Sequence, residues 1–228
     1  MDRRSFVRDC VALGLLGATA ASGGIAAKAI FGNAAGTVRV RYVGAKVAQS
    51  PAPRALPMIP LRANGEGELE GVPSHLDWYK YCGRERLPGL QESYAGDNVL
   101  RYHASPGKLS YVADDWYRPL VDQVVRPEQI PLGKGAPVRW RSENVGLGQE
   151  ITGVVVRFPP RDYRGPTDGV VDGVSCFCTF CTHLCCIPGY REIRAAPDDK
   201  LHCTCHGSQF DPRRLVEDEY WMRVVEDP

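Results

Sequence analysis

The sequence predicts a mainly β protein, an antiparallel β domain preceded by a single N-terminal hydrophobic helix. Three observations carry that expectation. No sustained helical stripe of apolar residues follows residue 31; short runs rich in Val, Ile, Tyr and Thr are punctuated instead by Gly and Pro, the pattern of short strands joined by turns. Within the first thirty residues, 11–27 form a long run without a charged side chain. With 228 residues and an apolar fraction of 43%, the chain is long enough to bury a core as one sizeable domain plus extras. Basic and acidic residues number 28 and 27; such balance offers no basic face, so nucleic acid is not an expected partner.

Taken in order, Arg3, Arg4 and Arg8 stand before the nearly uncharged run 11–27, which continues to Ile30 past Lys28. A bilayer-spanning helix takes roughly 20 residues. The arginines would keep the N-terminus cytoplasmic and send the rest of the chain outside, with Lys28 at the far edge, where a lysine can snorkel to headgroups. "DRRSFVR" also looks like a twin-arginine export signal, a route read as an address. Residues 1–31 are therefore assigned as a twin-arginine signal and transmembrane anchor, single-pass, with the head on the extracytoplasmic side of the cell membrane. Two alternatives stand beside it: a cleaved signal peptide, since "AKA" at 27–29 fits a cleavage site, and a buried soluble helix.

The alternating "TVRVRYV" at 37–43 reads as a short strand. Pro51, Pro53, Pro57 and Pro60 then crowd a stretch with no helical period, so residues 32–63 are expected to form a Pro-rich, semi-stiff tether, extended at about 3.1 Å per residue. The head domain is placed at 64–228. "RANGEGELEG" is turn-rich, and "DNVLRYH", "KLSYVA", "APVRWR", "EITGVVVRF" and "GVVDGVSCFCTF" read as strands. "DDWYRPLVDQVV" has room for a turn or two of helix.

Five of the nine cysteines and two of the five histidines fall in two hexapeptides, "CTHLCC" at 181–186 and "CTCHGS" at 203–208. Clustered cysteines point to a metal site, a disulfide or both. Two thiolates and two imidazoles would satisfy a tetrahedral zinc ion, but structural zinc spacings put two to four residues between paired ligands. Here Cys181 and His183 are separated by one residue, and Cys186 and Cys205 lie in matching places that zinc does not need. An iron–sulfur centre with two cysteines on one iron and two histidines on the other accounts for the set.

The two hexapeptides closely resemble the cluster-binding boxes of the Rieske proteins, the [2Fe–2S] subunits of cytochrome bc-type complexes. The resemblance is specific over residues 178–210 and weak over 61–170. It implies a β base carrying a cluster-binding subdomain. Cys181 and Cys203 would hold the inner iron, and His183 and His206 the outer one. Cys186 and Cys205 match the disulfide that ties the loops together, a bridge worth roughly 3 kcal/mol by chain entropy and at home outside the cytoplasm. Cys185 stands where the family usually has Gly; a Cys–Cys pair followed by Pro and Gly resembles some archaeal members, and Cys185 is the other possible partner for Cys205.

In the family a Ser two residues after the second His and a Tyr two further on donate hydrogen bonds to the cluster sulfurs, which raises the potential. Ser208 is present, whereas Phe210 replaces the Tyr. The Gly-Pro-x-Pro loop that commonly shields the cluster is not recognisable, and residues 211–228 are the candidate cover. Cys176 and Cys178 read as core packing, and His202 as pointing to the other strand face. Cys10, Cys82, His75 and His103 are given no role.

What the resemblance implies is a membrane-tethered electron-transfer subunit of a quinol:cytochrome c-type oxidoreductase. It would take an electron and a proton from quinol, with His206 and then His183 at the contact, and pass the electron to a c-type haem or a copper protein. A cytochrome b-type membrane subunit would be its partner. Alternatives are the small subunit of an arsenite-oxidase-like enzyme, an oxygenase partner, disfavoured by the second cysteine pair, and a zinc-stapled binding module without redox function.

Overall fold

The computed structural model describes residues 34–49, 52–72, 98–103, 117, 119–141, 151–184, 189–191, 200–203 and 205–225. The expected signal and anchor, 1–31, lie outside these residues, as do Cys10, His75, Cys82, Cys185 and Cys186. Among the described residues, no helix is long and apolar enough to cross a membrane. The chain forms two compact units, Met1–Val40 with Tyr220–Pro228, and Arg41–Glu219. All four expected ligands belong to the second.

The described elements are eleven strands, β1 (Ala34–Gln49), β2 (Leu56–Ile59), β3 (Leu61–Ala63), β4 (Leu69–Gly71), β5 (Arg101–Tyr102), β6 (Gly135–Trp140), β7 (Ile151–Arg157), β8 (Val174–Cys178), β9 (Gly189–Arg191), β10 (Lys200–Cys203) and β11 (Ser208–Val225), with two single 3-10 turns at Pro127–Gln129 and Pro160–Asp162. Nine of them form one sheet in the order β5-β6-β7-β8-β2-β1-β11-β10-β9, and β3 pairs with β4. The expected mainly antiparallel β architecture is present. Of the expected strands, "APVRWR", "EITGVVVRF" and the second half of "GVVDGVSCFCTF" become β6, β7 and β8, joined by antiparallel ladders such as Val154 opposite Phe177. Strands β7 and β8 are interior and buried along most of their length, β8 at all five residues. That is why they read as runs of Val, Cys and Phe rather than as alternation. "KLSYVA" lies outside the described residues, and residues 119–125 of "DDWYRPLVDQVV" carry a turn and an isolated bridge instead of helix.

The tether expected over 32–63 is corrected. Within the second unit, residues 41–49 run in β1, and β2 is wedged between β1 and β8, with Gly44 opposite Pro57 and Met58 opposite Phe177. Leu56, Met58 and Ile59 are all but fully buried. The prolines misled because β2 is only four residues long, too short a run for its buried Leu56, Met58 and Ile59 to stand out among them. The close approach also needs Gly44, where a Cβ would come within 2.5 Å of the Leu56 carbonyl oxygen.

The turn-rich "RANGEGELEG" is the β3–β4 hairpin. Asn64 Oδ1 accepts from the backbone N–H groups of Glu66 and Glu68, both at 2.9 Å, an Asn side chain closing a turn on its own backbone. A main core gathers Ala45, Leu56, Met58, Val154, Phe158, Phe177, Leu201, Phe210 and Leu215 together with Cys181 and Cys203. The two candidate ligand thiols thus grow directly out of the packed interior.

Candidate metal centre

The first candidate loop leaves β8 at Cys178. Thr179 Oγ1 donates to the Thr152 carbonyl at 3.0 Å and also meets the Thr152 hydroxyl, while the Phe180 N–H donates to Cys178 Sγ at 3.3 Å. A turn over 182–184 follows, and Thr182 Oγ1 donates at 2.7 Å to the carbonyl of Arg54, distant in sequence. Phe180 and Thr182 are buried, whereas Leu184 at the tip is 62% exposed.

The second loop is a local hairpin. Cys203 of β10 is opposite Ser208 of β11, and Leu201 is opposite Phe210. The chain reverses between them with the Gly207 N–H donating to the Cys203 carbonyl at 2.9 Å. Gly207 has φ of +78°, a left-handed conformation that costs a residue with a Cβ about 1 kcal/mol or more. Below the hairpin, Lys200 Nζ and Asp211 Oδ2 form a largely buried ion pair at 2.8 Å; Arg213 lies 3.7 Å from the same carboxylate and stacks its guanidinium over Phe158 at 5.4 Å. The sequence carried no signal for this pair, since Lys200 and Asp211 are eleven residues apart and adjacent only through the strand register.

The loops bring the four expected ligands into two pairs. Cys181 and Cys203 are 1% and 0% exposed, and their sulfurs lie within hydrogen-bonding reach of one another. His183 is half-buried and His206 exposed, with their rings edge to face at a centroid distance of 4.8 Å and an interplanar angle of 88°. The two sulfurs lie inside and the two imidazoles nearer the surface. Hydrogen bonding from Cys203 holds the Cys181 thiol below its ordinary range, helped against the cost of burial by the backbone N–H groups of His183 and Leu184. The same contact, together with burial, pushes Cys203 up, opposed by the backbone N–H of Cys205. Each loop therefore aims the N–H two residues after its cysteine at that cysteine's sulfur, an arrangement that favours a charged thiolate.

Two buried polar atoms here have no hydrogen-bond partner: His183 Nδ1 and Ser208 Oγ. The Ser208 hydroxyl makes no geometrically complete hydrogen bond, yet it lies close enough to Cys181 to help lower its pKa. Orphaned buried polar atoms are costly unless something satisfies them. A metal group held between the inner sulfurs and the outer rings would do so, and the residues present fit it. Among the described residues, no three His, Cys, Asp or Glu side chains converge as the ligands of one ion.

Cys205 is exposed and its thiol is free; its expected partners Cys186 and Cys185 lie outside the described residues. Cys176 and Cys178 are buried, and burial pushes the Cys176 thiol strongly upward, as suits an inert core residue. His202, on the strand face opposite Cys203, is half-buried. Of the candidate cover, 211–228, residues 211–225 run in the long strand β11, and 226–228 lie outside the described residues. A cavity of about 780 Å³ lined by residues including Tyr42, Met58, Asp168 and Asp218 contains none of the four candidate ligands.

No family model matches the chain, and no curated protein and no solved structure is detectably similar to it.

Proposed function

We propose that this protein is a Rieske-type [2Fe–2S] electron-transfer protein, serving as the subunit of a quinol-oxidising cytochrome bc-type complex. The single observation that carries the reading is the pairing of the four candidate ligands by chemistry and depth, two sulfurs buried side by side and two imidazoles edge to face toward solvent. Two irons with unlike ligands need two such pairs; one tetrahedral zinc needs four donors around one point. When bound, such a cluster supplies one-electron acceptance at a potential within about −150 to +300 mV.

In this reading Cys181 and Cys203 hold the inner iron, and His183 and His206 the outer one. The buried, unpartnered Nδ1 of His183 is the nitrogen that would ligate, which leaves the other ring nitrogen to hold or release a proton. His206, the more exposed of the two, is the better placed to meet a quinol hydroxyl. The N–H groups of His183, Leu184 and Cys205 stabilise negative charge on the sulfurs. Phe210, wholly buried and without a hydroxyl, offers none of the extra stabilisation a Tyr would, so the potential lies below that of relatives carrying both donors. Cys186 and Cys205 would form a clamp between the loops, and a cytochrome b-type subunit and a c-type haem or copper acceptor would be the partners, outside the cytoplasmic membrane.

The test is purification of the full chain from membranes in mild detergent, with iron, sulfide, zinc and haem analysis and an EPR spectrum of the reduced protein. The reading requires two irons and two sulfides per chain, a Rieske spectrum and a copurifying haem b subunit. Zinc without iron and sulfide would end it, whereas a Rieske spectrum without haem b would move the protein to another extracytoplasmic oxidase.

A further inference from the structure

The dipeptide Arg54–Ala55 sits between β1 and β2, and four of its polar groups are engaged by other parts of the second unit. The Arg54 carbonyl accepts from Thr182 Oγ1 at 2.7 Å. The Ala55 N–H donates to Asp218 Oδ2 at 2.8 Å, and the Ala55 carbonyl accepts from the Tyr42 hydroxyl at 3.0 Å. The Arg54 guanidinium donates to the Glu219 carbonyl and lies 3.9 Å from Asp218 Oδ1, an oxygen that also accepts from the Glu219 N–H at 2.7 Å. Thr182 is the residue between Cys181 and His183, and β11 is the strand that begins at Ser208, opposite Cys203. The joint therefore ties the turn carrying the first ligand pair to the strand that flanks the second loop, through contacts that span 128 and 163 residues of sequence.

We propose that Arg54 is a positioning residue for the first ligand loop: its guanidinium, held by Asp218 and Glu219 of β11, fixes its own carbonyl, which holds Thr182 and so sets where Cys181 and His183 stand. The inference deepens the Rieske reading, since the loop's orientation matters for a metal group held by both loops. It does not need the disulfide, because the joint is made of hydrogen bonds and one ion pair. A hydrogen bond from a threonine hydroxyl on one side and a charge-assisted contact on the other is enough to bias a short turn, and its loss releases the turn without opening the core beneath it.

The test uses the full chain with two variants, Thr182→Val and Arg54→Met, and the conservative Thr182→Ser and Arg54→Lys beside them. Amide hydrogen exchange is read on peptides covering 181–184 and on peptides covering β7 and β8, whether or not metal is bound. Thr182→Val and Arg54→Met should each speed exchange in the loop by about tenfold, the size expected for one net hydrogen bond, with β7 and β8 unchanged. Thr182→Ser should restore slow exchange, and Arg54→Lys should restore it partly because a lysine keeps the charge but not the fork. In protein that carries the cluster, the first two variants should also alter the EPR g-values and speed iron loss to a chelator, while Thr182→Ser should not. Unchanged exchange at 181–184 in both Thr182→Val and Arg54→Met would overturn the proposal. Faster exchange everywhere would also overturn it, by making Arg54 a general stability residue. A wild-type chain without iron would sink the Rieske reading alone, because the exchange experiment tests the joint on its own.

Discussion

The two candidate ligand loops use the same local device and opposite means of support. In each, the N–H two residues after the cysteine is aimed at that cysteine's sulfur, a preference written into the Cys-x-His and Cys-x-Cys spacing. Beyond that they diverge. The second loop is closed within eight residues by strand register, a Gly207 turn and the Cys203–Ser208 pair. The first hangs from contacts across the whole unit, to Thr152 through Thr179 and to Arg54 through Thr182. A hairpin is encoded by neighbours in sequence, whereas the first turn depends on the sheet being assembled. The first loop should therefore be ordered later in folding and loosened first under stress.

At the level of the ligands themselves the loops should be equal, and this is where the largest effect is expected. On the proposed reading, Cys181→Ser and Cys203→Ser each remove one of the two sulfurs that would hold the inner iron, and the remaining one would not keep it. Both variants should purify without iron and sulfide and without visible colour, with far-UV circular dichroism retained because the β base does not depend on the ligands. A coloured variant of either kind would break the pairing of Cys181 with Cys203.

The next effect in size falls on the first loop's side. Tyr163 donates from its hydroxyl to the Gly173 carbonyl at 2.9 Å and meets Ser175 Oγ at 3.0 Å, at the foot of the β8 strand that feeds that loop. Burial pushes its pKa up to about 12, with the Ser175 hydrogen bond pulling the other way. A phenol whose folded pKa is raised contributes stability in full below the unfolded value near 10 and loses it as pH rises toward 12. Two units correspond to roughly 2–3 kcal/mol. Urea midpoints should fall between about pH 10 and 12, and Tyr163→Phe should flatten that fall. An equal slope in the variant would remove Tyr163 from the account.

Gly207 probes the second loop in isolation. Its φ of +78° penalises any side chain, yet a Cβ there meets nothing within 4 Å. The cost of Gly207→Ala is therefore purely conformational, about 1 kcal/mol. Chemical denaturation should register that loss, and hydrogen exchange should confine it to 203–208 without speeding 181–184. Spread to the first loop would mean that the two are more tightly coupled than their supports suggest.

How far the sequence foretold all this follows the same division between local and distant. Strands β6, β7 and β8 were legible because their hydrophobic runs are bounded by Gly and Pro. The candidate ligand residues could be named from the sequence because their chemistry and spacing are local. Strand β2 was not, since Pro51, Pro53, Pro57 and Pro60 outweighed Leu56, Met58 and Ile59, whose burial only β1 and β8 can provide. Nothing near Arg54 hints at Thr182 or Asp218, and the Lys200–Asp211 pair exists only through the β10–β11 register. Long-range polar contacts leave no periodicity to read.

The smallest expected effect tests whether the second loop's strand also tunes the chemistry. Ser208 and Phe210 occupy alternate positions of β11, so both face the side on which Cys203 and Leu201 stand. Both are fully buried. Ser208 already contributes to lowering the Cys181 pKa, which places a hydroxyl on that face within reach of a sulfur. Phe210→Tyr adds a second hydroxyl to the same face, with a change of one oxygen in a packed site. If that hydroxyl reaches a sulfur, one net hydrogen bond shifts the midpoint potential upward by roughly 20–60 mV, because the donor stabilises the more negative, reduced state. An EPR-monitored redox titration reads the shift, and Ser208→Ala should move it the opposite way. A midpoint that rises in Phe210→Tyr while loop 181–184 exchanges as before would make β11 the potential-setting strand and leave positional control of the first loop to its distant anchors; an unchanged midpoint would show that position 210 faces the core alone.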